Sequence, residues 1–109
     1  MFNLRLIGLF LFFFFFNLSL GYAEDGEKLF KSKGCASCHS QSFDFFAPSL
    51  KTISKSYRDK RVELINFLQG KSPGLIYKEP KSMKNIVNNI TKKLTPEELE
   101  ALTNYLLSH

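Results

Sequence analysis

The 109-residue chain has few of the residues that build covalent or metal-bound frameworks. It contains two cysteines, two histidines and, beyond residue 23, a single methionine. One pair of thiols excludes a network of several disulfides and leaves no cysteine for a second motif. The basic residues are mostly scattered lysines, with no arginine cluster and no RNA-binding motif, so nucleic acid is not an expected partner.

The sequence also lacks a convincing β-strand pattern, an internal repeat and, beyond residue 23, any low-complexity tract. A thioredoxin-like pair of cysteines normally belongs to a βαβ unit, for which no pattern exists here. Apolar residues recur instead at helical spacing. The expected fold class is therefore all-α.

The two cysteines occur together, in the segment Cys35-Ala36-Ser37-Cys38-His39. Two thiols at this spacing can add to the two vinyl groups of one porphyrin, and the adjoining histidine is then held under the ring, where it can bind iron. The segment predicts one covalently attached c-type haem, with Cys35 and Cys38 as attachment points and His39 as an axial ligand.

Three alternatives remain open for this segment. A zinc ion would need Cys35, Cys38, His39 and His109 together, and adjacent ligands would strain a tetrahedron. A structural disulfide suits an oxidising compartment but leaves His39 without a role. A redox-active dithiol is the third.

Residues 1–23 have the three-part pattern of a secretory signal peptide. Arg5 is followed by an unbroken apolar run over 6–16, and small residues precede the expected cut after Ala23. We expect export to a bacterial periplasm, with a mature domain over 24–109. The alternative is an uncleaved membrane anchor, because apolar residues beyond position 16 lengthen the run toward the roughly 20 residues of a spanning helix.

The mature segment is one small domain of 86 residues, with 14 lysines and arginines against 10 acidic residues once Arg5 is removed. A core of this size is marginal, and a covalently held haem would supply its apolar centre. Scattered lysines usually form a solvated surface. The functional interpretation is that they attract an acidic protein partner.

Helices are predicted along most of this domain. Asp25 is placed to cap a first helix that Gly34 ends. A short helix is expected after Pro48, and another over 59–69. Between them, the loop over 40–47 carries three phenylalanines that are too apolar to be left in water: Phe43, Phe45 and Phe46.

The last helix has the clearest local signals. Thr95 is a natural N-cap, Pro96 suits the first helical position, and Glu98 completes a capping box. Four residues at helical spacing then form a stripe for burial, namely Leu99, Leu102, Tyr105 and Leu106.

With a first helix, the haem motif, a loop-rich middle and a capped last helix, the chain resembles the small bacterial monohaem class I cytochromes c of the c-553 and c-551 type. The resemblance covers the whole mature segment. It implies short helices around one haem, with the N- and C-terminal helices crossing. At that crossing, Gly26 and Phe30 would pack against Leu102 and Tyr105.

The resemblance also implies two roles around the iron. Ala47-Pro48-Ser49-Leu50 is similar to the family's Gly-Pro-x-Leu, in which the proline carbonyl accepts a hydrogen bond from the iron-bound histidine. Met83 would be the second axial ligand. Met83 as core filler, in a stripe with Ile86, Val87 and Ile90, is the alternative, and His109 is another candidate ligand.

The function implied is a monomeric periplasmic electron carrier with His39 and Met83 on the iron, and not an enzyme. Partners would be redox proteins with acidic docking surfaces, met by Lys33, Lys51, Lys81 and Lys84. Two alternatives are a haem subunit of a larger oxidoreductase and a five-coordinate haem sensor. A third is a secreted interaction module without haem.

Overall fold

The computed structural model describes residues 25–76 and 81–109, so the predicted leader lies outside the described residues. Within these two ranges the chain has five α-helices, two 3₁₀ turns and no strand. This confirms the all-α prediction. The helices are α1 (Gly26–Ser32), α2 (Leu50–Ser56), α3 (Arg61–Leu68), α4 (Lys81–Asn89) and α5 (Pro96–Leu106), and the 3₁₀ turns are Cys35–Ser37 and Thr91–Lys93.

Helix α1 begins as the sequence predicts. The Asp25 carboxylate accepts the backbone N–H groups of Glu27 and Lys28, at 3.0 and 3.3 Å. These groups have no partner inside the helix, so the side chain stabilises its first turn. The helix buries Leu29 and Phe30 and ends before Gly34.

Helix α5 begins with the predicted capping box. The Glu98 N–H donates to the Thr95 hydroxyl at 3.1 Å, and the Glu98 carboxylate accepts the Thr95 N–H at 3.0 Å. Pro96 occupies the first turn, where a missing N–H costs nothing. The Thr95 N–H also holds the pKa of Glu98 below its ordinary value, because it stabilises the charged form.

Helices α1 and α5 cross at Gly26. A Cβ added there would lie 2.6 Å from the Tyr105 Cβ and would collide with the Ala101 carbonyl oxygen. The absence of a side chain therefore permits the close approach of the two backbones. One turn further along α1, the Phe30 ring packs against the Tyr105 ring with 5.4 Å between their centroids.

The core joins this crossing to the middle helices. The predicted stripe of α5 is buried at Leu99, Leu102 and Leu106, and Tyr105 is partly buried against them. The other members of the buried cluster come from α1, from α2 and the residue that caps it, and from α3. They are Phe30, Leu50, Ile53, Tyr57, Leu64 and Leu68.

One expectation differs from the structure. Helix α3 begins at Arg61, later than the predicted residue 59, because Asp59 has a left-handed φ of 62° that ends the preceding turn. In the 40–47 loop, Phe43, Phe45 and Phe46 are 66%, 81% and 87% exposed, and Phe45 and Phe46 line the cavity described below. None of the helices in the described ranges is long and apolar enough to cross a bilayer.

Candidate haem-binding site

The cysteine motif is a tight turn directly after α1. Gly34 has a left-handed φ of 81°, which glycine adopts without strain, and it leads into the 3₁₀ turn Cys35–Ser37. The N–H of His39 donates to the Cys35 carbonyl at 3.0 Å. Cys35 and Cys38 form no disulfide with each other, and burial raises the pKa of the Cys35 thiol. The turn thus brings both sulfurs and the imidazole to one surface.

That surface is part of a cavity of about 410 Å³. All five α-helices contribute to its wall, which is mainly apolar. Its polar groups include the two thiols and the His39 ring. The apolar lining includes Phe30, Ile53, Tyr57, Leu64, Phe67, Leu68, Ile76, Ile86, Leu102 and Leu106.

One hydrogen bond fixes the His39 ring. Its Nδ1 lies 2.6 Å from the Pro48 carbonyl oxygen. A carbonyl can only accept, so Nδ1 carries a proton, and in the neutral ring Nε2 then keeps its lone pair. The Phe30 ring lies beside the imidazole, with 6.4 Å between centroids. The structure thus gives Pro48 the contact that the resemblance implies and leaves His39 with a free nitrogen suited to a metal.

The peptide that follows Pro48 is bound by a carboxylate that the sequence analysis missed. Asp44 Oδ1 accepts the Ser49 N–H at 2.7 Å, and both Asp44 oxygens lie 3.0 Å from the Thr52 hydroxyl. These donors hold the pKa of Asp44 below its ordinary value, with the Ser49 N–H as the largest cause. The only hint in the sequence was an acidic residue shortly before a helix, a signal too common to single out Asp44.

Met83 lies in the first turn of α4 and lines the same cavity as His39. Its side chain is partly buried. The structure therefore brings the two predicted axial ligands to one cavity. The helical stripe considered as an alternative is also present, and Val87 is its buried member.

The loop that precedes Met83 is attached to the cavity wall at two neighbouring points. The Leu75 N–H donates to the Tyr57 hydroxyl at 3.0 Å, and Tyr57 is itself 3% exposed. The Cα of Gly74 faces the Phe67 ring, where an added Cβ would lie 3.4 Å from the nearest ring carbon. Residue spacing gives no signal for this contact, because it joins residues 18 apart across an irregular loop.

His109, the other candidate ligand, is not among the residues that line the cavity. Its ring packs edge-on against Tyr105, with 4.8 Å between centroids, and its backbone N–H donates to the Ser54 hydroxyl at 3.2 Å. In the described part of the chain, its buried Nε2 has no hydrogen-bond partner. No three His, Cys, Asp or Glu side chains in those ranges gather as a metal site.

The described residues fit a haem in three respects. The cavity is mainly apolar, as a porphyrin plate requires, and its volume lies in the range of about 300–1,000 Å³ that is typical of ligand sites. Two thiols stand beside a histidine whose Nε2 is available. A thioether, Met83, lines the same space, and imidazole with thioether is an established donor pair for haem iron.

Comparison with known proteins agrees with this chemistry. Residues 23–109 match the family described as cytochrome c. Cytochrome c-551 of Stutzerimonas stutzeri is 53% identical over 32 residues, which make up 29% of this chain and 31% of that protein. The matched segment therefore spans less than a third of the relative's length.

Proposed function

The chain belongs to the cytochrome c family, and from that premise we propose that it is an exported one-electron carrier with His39 and Met83 on the iron. The family implies a covalently bound c-type haem, and Cys35 and Cys38 fit its attachment motif. The observation that carries the proposal is that His39, with its Nε2 available, and Met83 line one cavity.

The haem supplies the redox chemistry, and the protein determines its surroundings. Cys35 and Cys38 would hold the haem covalently. Pro48 fixes the orientation and the tautomer of His39. The mainly apolar wall would limit contact between the bound haem and water. With His39 and Met83 taking both axial positions, no position remains for a substrate, and this supports electron transfer rather than catalysis.

The proposed thioether ligand also predicts in which direction the reduction potential is shifted. A methionine favours the ferrous state more than a second histidine does, so a His39–Met83 pair raises the potential above that of a bis-histidine site.

The partners proposed are redox proteins with acidic surfaces. Lys33 lines the cavity beside Phe45 and Phe46 and is exposed. Lys51 on α2 and Lys81 and Lys84 on α4 are exposed as well. Positive charge around an apolar opening favours brief encounters with an acidic protein, at rates that fall as salt rises. An electron-transfer rate that does not change with ionic strength would contradict this part.

Export is proposed from the pattern of residues 1–23, with cleavage after Ala23 and a periplasmic monomer as the product. N-terminal sequencing of the mature protein tests it. A mature chain that still begins at Met1 would support the membrane-anchored alternative.

One set of spectra tests the central claim. The exported protein should give a pyridine haemochrome spectrum, a mass increase of one haem and a far-red methionine-to-iron band. In Met83→Ala the covalent haem should remain, the far-red band should disappear, and the reduced protein should bind carbon monoxide. Ile86→Ala, one turn along α4 on the same cavity, is the matched control and should keep the band.

The outcomes separate the alternatives. A far-red band that survives in Met83→Ala contradicts the assigned ligand. Carbon monoxide binding by the unmodified reduced protein at neutral pH supports the five-coordinate sensor. Stoichiometric copurification with a larger enzyme supports the subunit. A bare polypeptide mass, after expression with a working haem-attachment system, removes the proposal altogether.

A further inference from the structure

The peptide unit between Pro48 and Ser49 is hydrogen-bonded at both ends. Its carbonyl oxygen accepts the His39 Nδ1–H at 2.6 Å, and its N–H donates to Asp44 Oδ1 at 2.7 Å. Both distances are at or below the short end of the usual range for N–H···O bonds. A single peptide group therefore connects an exposed carboxylate to the imidazole that the proposed function places on the iron.

Such a chain of hydrogen bonds is cooperative. A carboxylate on the N–H polarises the peptide group and increases the negative charge on its carbonyl oxygen. The carbonyl then holds the Nδ1 proton more strongly, and the imidazole gains anionic character. A more anionic imidazole donates more charge to a metal at Nε2 and favours the higher oxidation state.

We propose that Asp44 is a positioning residue that lowers the reduction potential of the haem by acting on His39 through the Pro48–Ser49 peptide unit. The inference rests on the proposed function, because it requires His39 on the iron. It adds a residue five positions beyond the haem motif that lines the same cavity and makes its hydrogen bonds to Ser49 and Thr52, not to His39 or Met83.

The surrounding bonds keep Asp44 in place. The Thr52 hydroxyl donates to its carboxylate, and the Ser49 hydroxyl in turn donates to Thr52 at 3.2 Å. Ser49 also caps α2 by accepting the Thr52 N–H at 3.1 Å. The donors to Asp44 and the start of α2 therefore form one network, which fixes the direction of the peptide unit.

A rival effect has the same sign. A carboxylate near the haem lowers the potential simply through its electric field, and neutralising it would raise the potential without any relay. Two properties separate these effects. A field from an exposed charge is screened by salt, with a Debye length of about 3 Å at 1 M, whereas a chain of hydrogen bonds is not. Only the relay changes the strength of the bond at His39 Nδ1.

The experiment compares the haem-loaded protein with Asp44→Asn. The asparagine keeps an oxygen for the Ser49 N–H but has no charge. Two controls loosen the same region without removing either hydrogen bond of the Pro48–Ser49 peptide unit. Thr52→Val removes one donor to Asp44, and Ser40→Ala removes the hydroxyl that bonds the Phe43 carbonyl and N–H at 2.6 and 3.1 Å. Equal haem content and helical circular dichroism establish that all four proteins are folded.

The expected result has three parts. The midpoint potential of Asp44→Asn lies above that of the wild type, and the difference persists at about 1 M salt. The His39 Nδ1–H resonance of the reduced protein moves upfield and exchanges faster with water. In Thr52→Val and Ser40→Ala both quantities change much less than in Asp44→Asn.

An unmoved Nδ1–H resonance overturns the proposal whatever the potential does. So does an unchanged or lower potential, a shift that salt abolishes, or an equal shift in Ser40→Ala. A wild-type protein with no haemochrome spectrum or no reversible midpoint contradicts the proposed function instead, so the two failures are distinguishable.

Discussion

The two sides of the cavity are held in different ways. On the His39 side, a turn, a proline carbonyl and a capped helix are joined by hydrogen bonds within residues 34–52. On the Met83 side, α4 buries a single residue, Val87, and the loop before it is attached at Leu75 and Gly74. His39 is therefore positioned by residues nearby in the sequence, whereas the position of Met83 depends on contacts with distant helices.

The difference indicates which side opens first. Segments with few buried apolar contacts open locally at lower free energy than the rest of a domain. The Met83 side should therefore exchange its ligand under conditions in which the His39 side stays closed. Under the proposed function both residues stay on the iron during the redox cycle, so the weaker of the two sides would limit the carrier.

A matched pair of glycine substitutions is the strongest test of this asymmetry. In Gly26→Ala the new Cβ meets the backbone of Ala101, which cannot move without displacing α5. We expect a loss of about 3 kcal/mol in the free energy of unfolding, at the upper end of overpacking costs. In Gly74→Ala the new Cβ makes an ordinary contact with the Phe67 ring. There we expect a change within about 0.5 kcal/mol.

Denaturant unfolding of the haem-loaded proteins measures both values. Gly26→Ala should also disturb the ring of Phe30, because Gly26 and Phe30 both lie on α1. The Phe30 ring lies next to His39. Equal losses in the two variants would show that the helix crossing is no more constrained than the loop, and the comparison would fail.

A pair of tyrosine substitutions tests the Met83 side, with a smaller expected change in the free energy of unfolding than for Gly26→Ala. Tyr57→Phe removes the acceptor of the Leu75 N–H and should cost about 1 kcal/mol, the usual net value of one hydrogen bond. Because this bond holds the loop before Met83, imidazole should bind the ferric iron more tightly in the variant. Spectrophotometric titration with imidazole measures this affinity.

Tyr105→Phe is the control on the other side. Its ring packs on Phe30 and His109, and the substitution keeps that ring. We expect unchanged imidazole affinity and a stability change within about 0.5 kcal/mol. If both variants bind imidazole equally well, Tyr57 has no special part in holding the Met83 side.

The same asymmetry explains what the sequence could predict. The caps at Asp25 and Thr95, and the turn at Gly34, depend on neighbouring residues, and the structure confirms them. The all-α fold followed from helical spacing and the absence of strand patterns. These are local signals, which one sequence contains in full.

Contacts across the chain were harder to predict. The hydrogen bond from the Leu75 N–H to the Tyr57 hydroxyl depends on the path of an irregular loop, and so does the bond from the Ser49 N–H to Asp44. Residue spacing does not determine these paths. Hydrophobicity alone did not show that Phe45 and Phe46 line the cavity instead of joining the buried core cluster. Their placement depends on the backbone of the 40–47 loop, which the Ser40 turn and the Asp44 bonds hold.

Acid should produce the smallest effect, and it should act on the His39 side. The folded pKa of Asp44 lies below its ordinary value, so its ionised form stabilises the loop at every pH above the unfolded pKa, and that contribution is lost as pH falls through the lower folded value. The difference in unfolding free energy between wild type and Asp44→Asn should be constant above about pH 5 and should shrink below about pH 4. Water screens this exposed carboxylate, which keeps the difference small.

Parallel denaturant curves across this pH range measure that difference. Glu98 also has a lowered pKa, but it is present in both proteins, and its contribution therefore cancels in the comparison. A difference that stays constant to the lowest pH would mean that the Asp44 charge does not hold the loop. The stability of the His39 side would then come from the neutral bonds of Ser49 and Thr52. The proposal that the charge of Asp44 acts on His39 would lose this support.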